Sequence, residues 1–118
     1  MVSPTCAPTR AALMTGRHPM KNGVTHTILE RERMTLKATT LPQVLKQGDY
    51  TSGIFAKWHL GDDPTTQGFD INIAGREWGS PSGGSYLSPY KYPNLVNRKK
   101  GEYLTDRLGA EAAQFMEA

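Results

Sequence analysis

The residues with the clearest chemical potential lie near the start of the chain, in the segment Cys6-Ala7-Pro8-Thr9-Arg10. Cys6 is the only cysteine, so it cannot form a disulfide within the chain. Pro8 suits the first helical position, where a missing N–H costs no hydrogen bond, and this places Cys6 at or beside the N-cap. Because a helix N-terminus binds anions readily, the pattern predicts a nucleophile, or the precursor of one, at an anion-binding helix end. The alternative is a small structural residue at a helix start.

Arg10 lies about one helical turn after Cys6, so its guanidinium can reach the same site. Arginine holds a tetrahedral oxyanion through a planar fork of two donors. The spacing therefore favours a site that handles phosphate or sulfate, with Arg10 as a candidate catalytic residue beside Cys6.

A second candidate pair, Lys57 and His59, follows a predicted strand at residues 50–55. In an extended segment the two side chains point the same way and Trp58 faces the opposite side, towards packing. Lysine supplies a point charge for an oxyanion, and histidine donates a hydrogen bond or transfers a proton. The alternative is a solvated lysine and a hydrogen-bonded histidine at a strand end.

The elements that must position these residues form an α/β pattern. Helices are predicted at residues 7–16, ended by Gly16, and at residues 40–48, capped by Thr40 and stopped by Gly48. A helix, a glycine and then a strand indicate a parallel α/β connection. Residues 17–38 are predicted to be irregular, and residues 62–101 to be mostly loop, which is unusual within a compact domain.

The last predicted helix spans residues 103–118. Its apolar residues repeat at steps of three and four and form one stripe, made of Leu104, Leu108, Ala112 and Phe115. Nothing visible in the sequence packs against this stripe, and the single predicted strand cannot form a sheet. We therefore expect residues 1–118 to be a fragment of a larger unit.

Composition narrows the possible functions. The chain has 118 residues, a net charge of +3 and 37% hydrophobic residues. Its basic residues are spread out, apart from residues 98–100, which argues against nucleic acid as a partner. No apolar run approaches the roughly 20 residues that span a bilayer, and no signal peptide is visible.

Several other features have competing interpretations. His18 and His26 lie in a polar segment and are expected at the surface. The pair Asp62-Asp63 suggests either a metal site or a turn. The alternating charges of residues 30–33 indicate a solvated face. Four tyrosines either line a substrate cleft or pack between loops: Tyr86, Tyr90, Tyr92 and Tyr103.

Two motifs together resemble the signatures of the type I sulfatases. Residues 6–17, from Cys6 to Arg17, resemble the first signature, and residues 48–61, which contain Lys57-Trp58-His59-Leu60-Gly61, resemble the second. Residues 68–70 and 103–106 resemble segments that follow in many sulfatases. The resemblance implies an α/β fold, the three-layer α/β/α arrangement with a mixed sheet of the alkaline-phosphatase-like superfamily. Here the domain would be incomplete, with residues 1–118 an internal or N-proximal part.

The resemblance also implies a reaction, the hydrolysis of a sulfate monoester. Cys6 would be oxidised to formylglycine by a formylglycine-generating or anaerobic sulfatase-maturating enzyme. The aldehyde hydrates, one hydroxyl attacks sulfur, the alcohol leaves, and the remaining hydroxyl helps to expel sulfate. Arg10 would hold the hydrated aldehyde, Lys57 would bridge the nucleophile and a sulfate oxygen, and His59 would hydrogen-bond the formylglycine hydroxyl.

The cofactor and partners follow from the same resemblance. A divalent ion, usually calcium, would bind the formylglycine derived from Cys6 together with oxygen ligands. The substrate would be a sulfated sugar or an aryl sulfate. Related sulfatases are usually secreted, periplasmic or lysosomal.

Three departures from the family pattern bear on activity. Thr9 stands where serine is common, and Ala56 stands where glycine usually precedes the lysine, a mild change. The paired aspartates and later metal ligands of the family, its second lysine and its histidine acid have no match in this chain. We therefore expect the chain alone to bind metal poorly and to be inactive. The alternatives are a phosphatase or phosphonate hydrolase of the same superfamily, or a non-catalytic basic fragment that binds nucleic acid or an acidic glycan.

Overall fold

The computed structural model describes residues 4–81 and 85–118. Four α-helices, two β-strands and two short 3-10 helices follow one another in the described part. The α-helices and strands are α1 (Cys6–Thr15), α2 (Pro19–Asn22), α3 (Leu41–Lys46), β1 (Gly53–Phe55), β2 (Ile71–Ile73) and α4 (Leu104–Glu117). The 3-10 helices are Leu29–Glu32 and Pro64–Gln67.

Helix α1 confirms the predicted first helix. It ends at Gly16, whose φ of 64° is left-handed and whose N–H donates to the Ala12 carbonyl at 2.8 Å. Thr5 is the N-cap and Cys6 the first helical residue. Pro8 is therefore the third helical residue, not the first, but an N–H there has no acceptor within the helix, so the proline still costs no hydrogen bond.

Helix α3 confirms the predicted second helix in a shorter form. Thr40 is its N-cap, and the Gln43 side chain accepts a hydrogen bond from the Thr40 N–H at 3.0 Å. The helix ends at Lys46, and the Gly48 N–H donates to the Leu45 carbonyl at 2.9 Å, which closes the turn into β1.

The two strands form a parallel pair. Gly53 lies opposite Ile71, and Phe55 lies opposite Ile73. The predicted strand is confirmed for residues 53–55 and wrong for residues 50–52. Strand β2 was not predicted, because three residues inside a polar, glycine-rich stretch give too short a pattern to recognise. The parallel pairing is the α/β connection that the sequence indicates.

Helices cover both faces of this sheet. Ile54 packs on the core beneath α1, which contains Trp58, Leu60 and four smaller or flexible residues: Ala7, Ala11, Val24 and Met34. Phe55 points to the opposite face and contacts Phe115 of α4, with ring centroids 5.5 Å apart. The expectation that the stripe of α4 has nothing to pack against is thus wrong. Its Leu104 and Leu108 are buried in a second core with Ala74, Tyr90 and Leu95.

The segment at residues 17–38 is more ordered than predicted. It contains α2, capped by the His18 side chain, which accepts from the Met20 N–H at 3.3 Å, and it contains the 3-10 helix Leu29–Glu32. In the part of the chain that the structure describes, no helix has both the length and the apolar character needed to cross a membrane.

The backbone turns sharply where β1 ends. Ala56 has a φ of 113°, a conformation that residues with a side chain rarely adopt. Alanine in place of glycine at position 56 therefore strains the backbone, so the substitution is not as mild as the sequence suggests. The strained residue lies directly before Lys57, so it sets the path of the chain into the candidate site.

We expect Ala56→Gly to stabilise the folded state by about 1 kcal/mol. Glycine relieves a backbone strain of roughly 1–3 kcal/mol and adds about 0.5–1 kcal/mol of unfolded-chain entropy. The unfolding midpoint of the purified protein should therefore rise. Ala110→Gly, at an exposed position of α4, is the matched control and should lower the midpoint, because glycine costs about 1 kcal/mol within a helix. Equal losses in both variants would contradict strain at Ala56.

Candidate active site

Arg10 connects the two candidate segments. Its Nε donates to the Trp58 carbonyl at 2.8 Å, and its Nη2 donates to the Lys57 carbonyl. Burial lowers the pKa of Arg10, and the negative charge of an ionised Cys6 acts in the opposite direction. These two donors of Arg10 thus bind backbone carbonyls, whereas the sequence predicted that they bind an oxyanion.

Cys6 lies in the first turn of α1 and is half-buried. It is a free thiol. Ala7 and Pro8, which follow it, are buried and fix this end of the helix against the core. The helix end therefore presents residue 6 from a rigid element beside Arg10.

Lys57 and His59 are not in a strand, because β1 ends at Phe55. Ala56 and His59 both have positive φ, 113° and 65°, so the side chains do not follow the alternation that was predicted. Trp58 is packed as expected, 1% exposed, with its ring edge-on to Phe69 at 5.8 Å. Lys57 instead lines a cavity, and His59 is buried at 4% exposure.

His59 has a partner that the sequence does not indicate. Nε2 of His59 lies 3.1 Å from Oε2 of Glu32, at the end of the 3-10 helix Leu29–Glu32. Glu32 was assigned to a solvated face, but its side chain is only 21% exposed. The exposed Glu30 and Arg33 agree with the predicted face. No local signal in the sequence separates Glu32 from Glu30, since the contact joins residues 27 positions apart.

A cavity of about 210 Å³ lies beside Lys57. Arg76 lies over the Trp78 ring at 5.5 Å and pairs with Glu77 at 3.1 Å, while Trp78 and Tyr92 contact each other with centroids 5.4 Å apart. Basic and aromatic side chains line the cavity: Lys57, Arg76, Trp78, Tyr86 and Tyr92.

The tyrosine group is divided between cavity and core. Tyr86 and Tyr92 line the cavity, and Tyr103 contacts Tyr86 with centroids 6.4 Å apart. Tyr90 is buried, and its hydroxyl donates to the Glu102 carbonyl at 2.7 Å. Burial, with the charge of Glu102, raises the pKa of Tyr90. The packing interpretation is therefore confirmed for Tyr90, and a substrate cleft lined by Tyr86 and Tyr92 stays a prediction.

The described residues do not fit a calcium site by themselves. Asp62 pairs with Arg33 at 3.0 Å, and Asp63 accepts from the Thr65 N–H at 2.9 Å, which lowers the pKa of Asp63 and agrees with the turn interpretation. Within residues 4–81 and 85–118, no group of three or more His, Cys, Asp or Glu side chains is placed to hold a metal ion.

Comparison with known proteins gives matches along the whole chain. The protein family described as Sulfatase matches residues 1–118. Arylsulfatase G of Rattus norvegicus is 38% identical over 95 residues, which cover 75% of this chain and 18% of that protein. N-acetylgalactosamine-6-sulfatase of Mus musculus is 34% identical over an alignment 151 residues long, which covers 98% of this chain and 28% of that protein. The chain spans less than a third of the length of these relatives.

Solved structures share the fold. The crystal structure of Ps i-CgsB matches with a TM-score of 0.75 and 26% identity, over 98% of this chain and 31% of that one. A second structure, of Ps i-CgsB in complex with k-i-k-neocarrahexaose, matches with a TM-score of 0.70 and 25% identity over the same shares.

We expect Arg10→Lys to destabilise the protein by about 1.5–3 kcal/mol. Lysine keeps the charge but cannot place two donors in the plane of the Lys57 and Trp58 carbonyls, and hydrogen bonds to charged groups contribute about this much. The unfolding midpoint of the purified protein measures the loss. Arg17→Lys, on an exposed side chain just beyond α1, is the matched control and should leave the midpoint unchanged. Similar midpoints for both variants would show that the connection through Arg10 contributes little.

Proposed function

Because the Sulfatase family matches all of residues 1–118, this chain belongs to the sulfatase family, and from that membership we propose that it contributes the nucleophile segment of an enzyme that hydrolyses sulfate monoesters. The family and the structural neighbours confirm the predicted fold class, an incomplete α/β part of an alkaline-phosphatase-like domain. The names of the relatives, arylsulfatase and N-acetylgalactosamine-6-sulfatase, support this activity.

The observation that carries the proposal is the contact of Arg10 with the carbonyls of Lys57 and Trp58. It joins the two segments that resemble sulfatase signatures, although they are 47 and 48 residues apart in sequence. A chance resemblance of two separate motifs gives no reason for them to meet in the folded chain.

Each candidate residue has a role consistent with its position. Cys6, at the rigid start of α1, is the precursor of a formylglycine whose hydrate attacks sulfur. Lys57, which lines the cavity, is placed to neutralise charge on sulfate oxygens as the S–O bond breaks. His59 is the proton-transfer group. Arg10 is a positioning residue, because its donors hold the backbone that carries Lys57.

We also propose that residues 1–118 form an internal or N-proximal part of a larger catalytic domain. The two-stranded sheet and several exposed apolar side chains on α1 and α3, among them Leu13, Leu41 and Val44, support a surface that further chain covers. Calcium would supply Lewis acidity when bound, but most of its oxygen ligands must then lie outside the described residues. A formylglycine-generating or anaerobic sulfatase-maturating enzyme is the partner that the proposal requires.

For the substrate we propose a sulfated sugar or an aryl sulfate whose ring lies in the cavity beside Lys57. The aromatic faces of Trp78 and Tyr92 suit a flat or half-apolar ring, and the cavity also presents Lys57 and Arg76 to anionic groups. Burial, and then the neighbouring Tyr86, raises the pKa of Tyr92, so its hydroxyl stays a hydrogen-bond donor to a higher pH than an exposed tyrosine.

Co-expression with a formylglycine-generating enzyme should convert Cys6 to an aldehyde. The tryptic peptide that contains residue 6 should lose the thiol mass and react with a hydrazide probe, and Cys6→Ala should give neither change. The complete protein should then hydrolyse an aryl sulfate faster than the matched aryl phosphate. Cys6→Ala should reduce the rate roughly 1,000-fold or more, as is typical when a nucleophile is removed.

Two outcomes would contradict the proposal. A peptide that stays a plain cysteine, under conditions that convert a control sulfatase, would refute the modification. A preference for the aryl phosphate would move the enzyme to the phosphatase class.

We expect Tyr92→Ala to raise KM for a sulfated sugar or aryl sulfate roughly five- to tenfold with a smaller effect on kcat. Losing an aromatic contact of about 1 kcal/mol weakens binding of the ring by this factor. Steady-state kinetics on the complete protein measure the change. Tyr50→Ala is the matched control, because Tyr50 is 65% exposed between α3 and β1 and lies outside the cavity. If the two tyrosine variants had the same KM, the cavity would not be the ring-binding site.

A further inference from the structure

The most unusual group beside the proposed site is the ring of His59. It is buried, and its Nδ1 has no hydrogen-bond partner among the described residues, while Nε2 lies 3.1 Å from the Glu32 carboxylate. A buried polar atom without a partner costs free energy unless a ligand or reacting group satisfies it. The ring therefore has one nitrogen held by the protein and one left for another molecule or group.

The backbone and the neighbours of His59 fix its orientation. Its N–H donates to the Arg76 carbonyl at 2.8 Å, and its φ of 65° is left-handed, so the chain holds the residue in a strained conformation. Gly79 lies flat against the ring: a Cβ at that position would come within 2.9 Å of Cε1. These contacts leave the ring little room to turn over.

The chemistry of the pair then assigns the two nitrogens. An ionised carboxylate only accepts hydrogen bonds, so the nitrogen that faces Glu32 carries the hydrogen. In the neutral ring the other nitrogen, Nδ1, has the free lone pair and accepts a proton.

From this geometry we infer that Glu32 is a positioning residue, whose carboxylate holds Nε2–H of His59 and leaves Nδ1 as the proton-accepting nitrogen. The inference rests on the proposed function for its chemical consequence. A hydroxyl of the hydrated aldehyde at residue 6 gives its proton to Nδ1, and its oxygen forms the C=O bond. The C–O bond to sulfate breaks, and its electron pair leaves on the sulfate oxygen. Glu32 stabilises the imidazolium that results.

Glu32 differs from its neighbours in ways that suit this role. Its side chain is 21% exposed, whereas that of Glu30, on the same 3-10 helix, is 90% exposed and lies 3.8 Å from Arg33. Glu30→Ala is therefore a matched control, because it removes a carboxylate from the same 3-10 helix without changing a contact of His59.

The test uses the complete, formylglycine-converted protein with Glu32→Ala, Glu32→Gln and Glu30→Ala. Glu32→Ala should lower kcat roughly 10- to 100-fold with KM changed less than about twofold, the usual size of effect for a residue that orients a ligating or catalytic histidine. Glu32→Gln keeps an oxygen acceptor for Nε2–H and should fall between Glu32→Ala and the parent protein. Glu30→Ala should match the parent protein.

A spectroscopic readout tests the same inference without any turnover. With ¹⁵N-labelled histidine, the parent protein should show His59 as the Nε2–H tautomer, and Glu32→Ala should show a mixture of tautomers. The signal of His59 is identified by its loss in His59→Asn. An unchanged tautomer, or a kcat within twofold of the parent value in Glu32→Ala, would overturn the role of Glu32. A parent protein without sulfatase activity would instead refute the proposed function, while the tautomer still reports on Glu32.

Discussion

The contact between Arg10 and the carbonyls of Lys57 and Trp58 is the interaction on which the candidate site depends. It ties the first turns of α1 to the exit of β1, two parts of the chain that share no strand pairing. Both carbonyls belong to backbone that has left the sheet, so the sheet itself cannot satisfy them. A half-buried guanidinium satisfies both at once, because its donors form a rigid planar fork. The position of Lys57 relative to Cys6 is therefore set by a side chain of α1.

This arrangement explains why the backbone around the site is strained. Ala56, His59 and Ala74 all have positive φ, and they occupy the turns that follow β1 and β2. Such conformations persist only where surrounding contacts determine them. Here Arg10 fixes the carbonyls after Ala56, and the Arg76 carbonyl fixes the N–H of His59. Trp58 lies in the core and Lys57 at the cavity, and these turns hold the two residues in place.

The sequence predicts the parts of this site that depend on local rules. The proline and glycine signals locate α1, and the spacing of Cys6, Arg10, Lys57 and His59 singles out the residues that the family resemblance also names. The partner of His59 and the second strand could not be predicted, because each depends on contacts between distant residues. Glu32 resembles a surface residue in sequence, and β2 is too short for its period to show. The hydrogen-bond partners of Arg10 could not be predicted either, because they are backbone carbonyls, which every residue type has.

The parallel pairing of β1 and β2 gives the cavity its charge. Because parallel strands end at the same edge of a sheet, residues that follow them converge there. Lys57 follows β1 by two positions and Arg76 follows β2 by three, and both line the one cavity, beside the aromatic ring of Trp78. The hydrogen bond from the His59 N–H to the Arg76 carbonyl joins the two strand exits directly. Two basic side chains, Lys57 and Arg76, therefore lie at the edge where both strands end. Arg10 joins the backbone that carries Lys57 to α1, the helix that begins at Cys6.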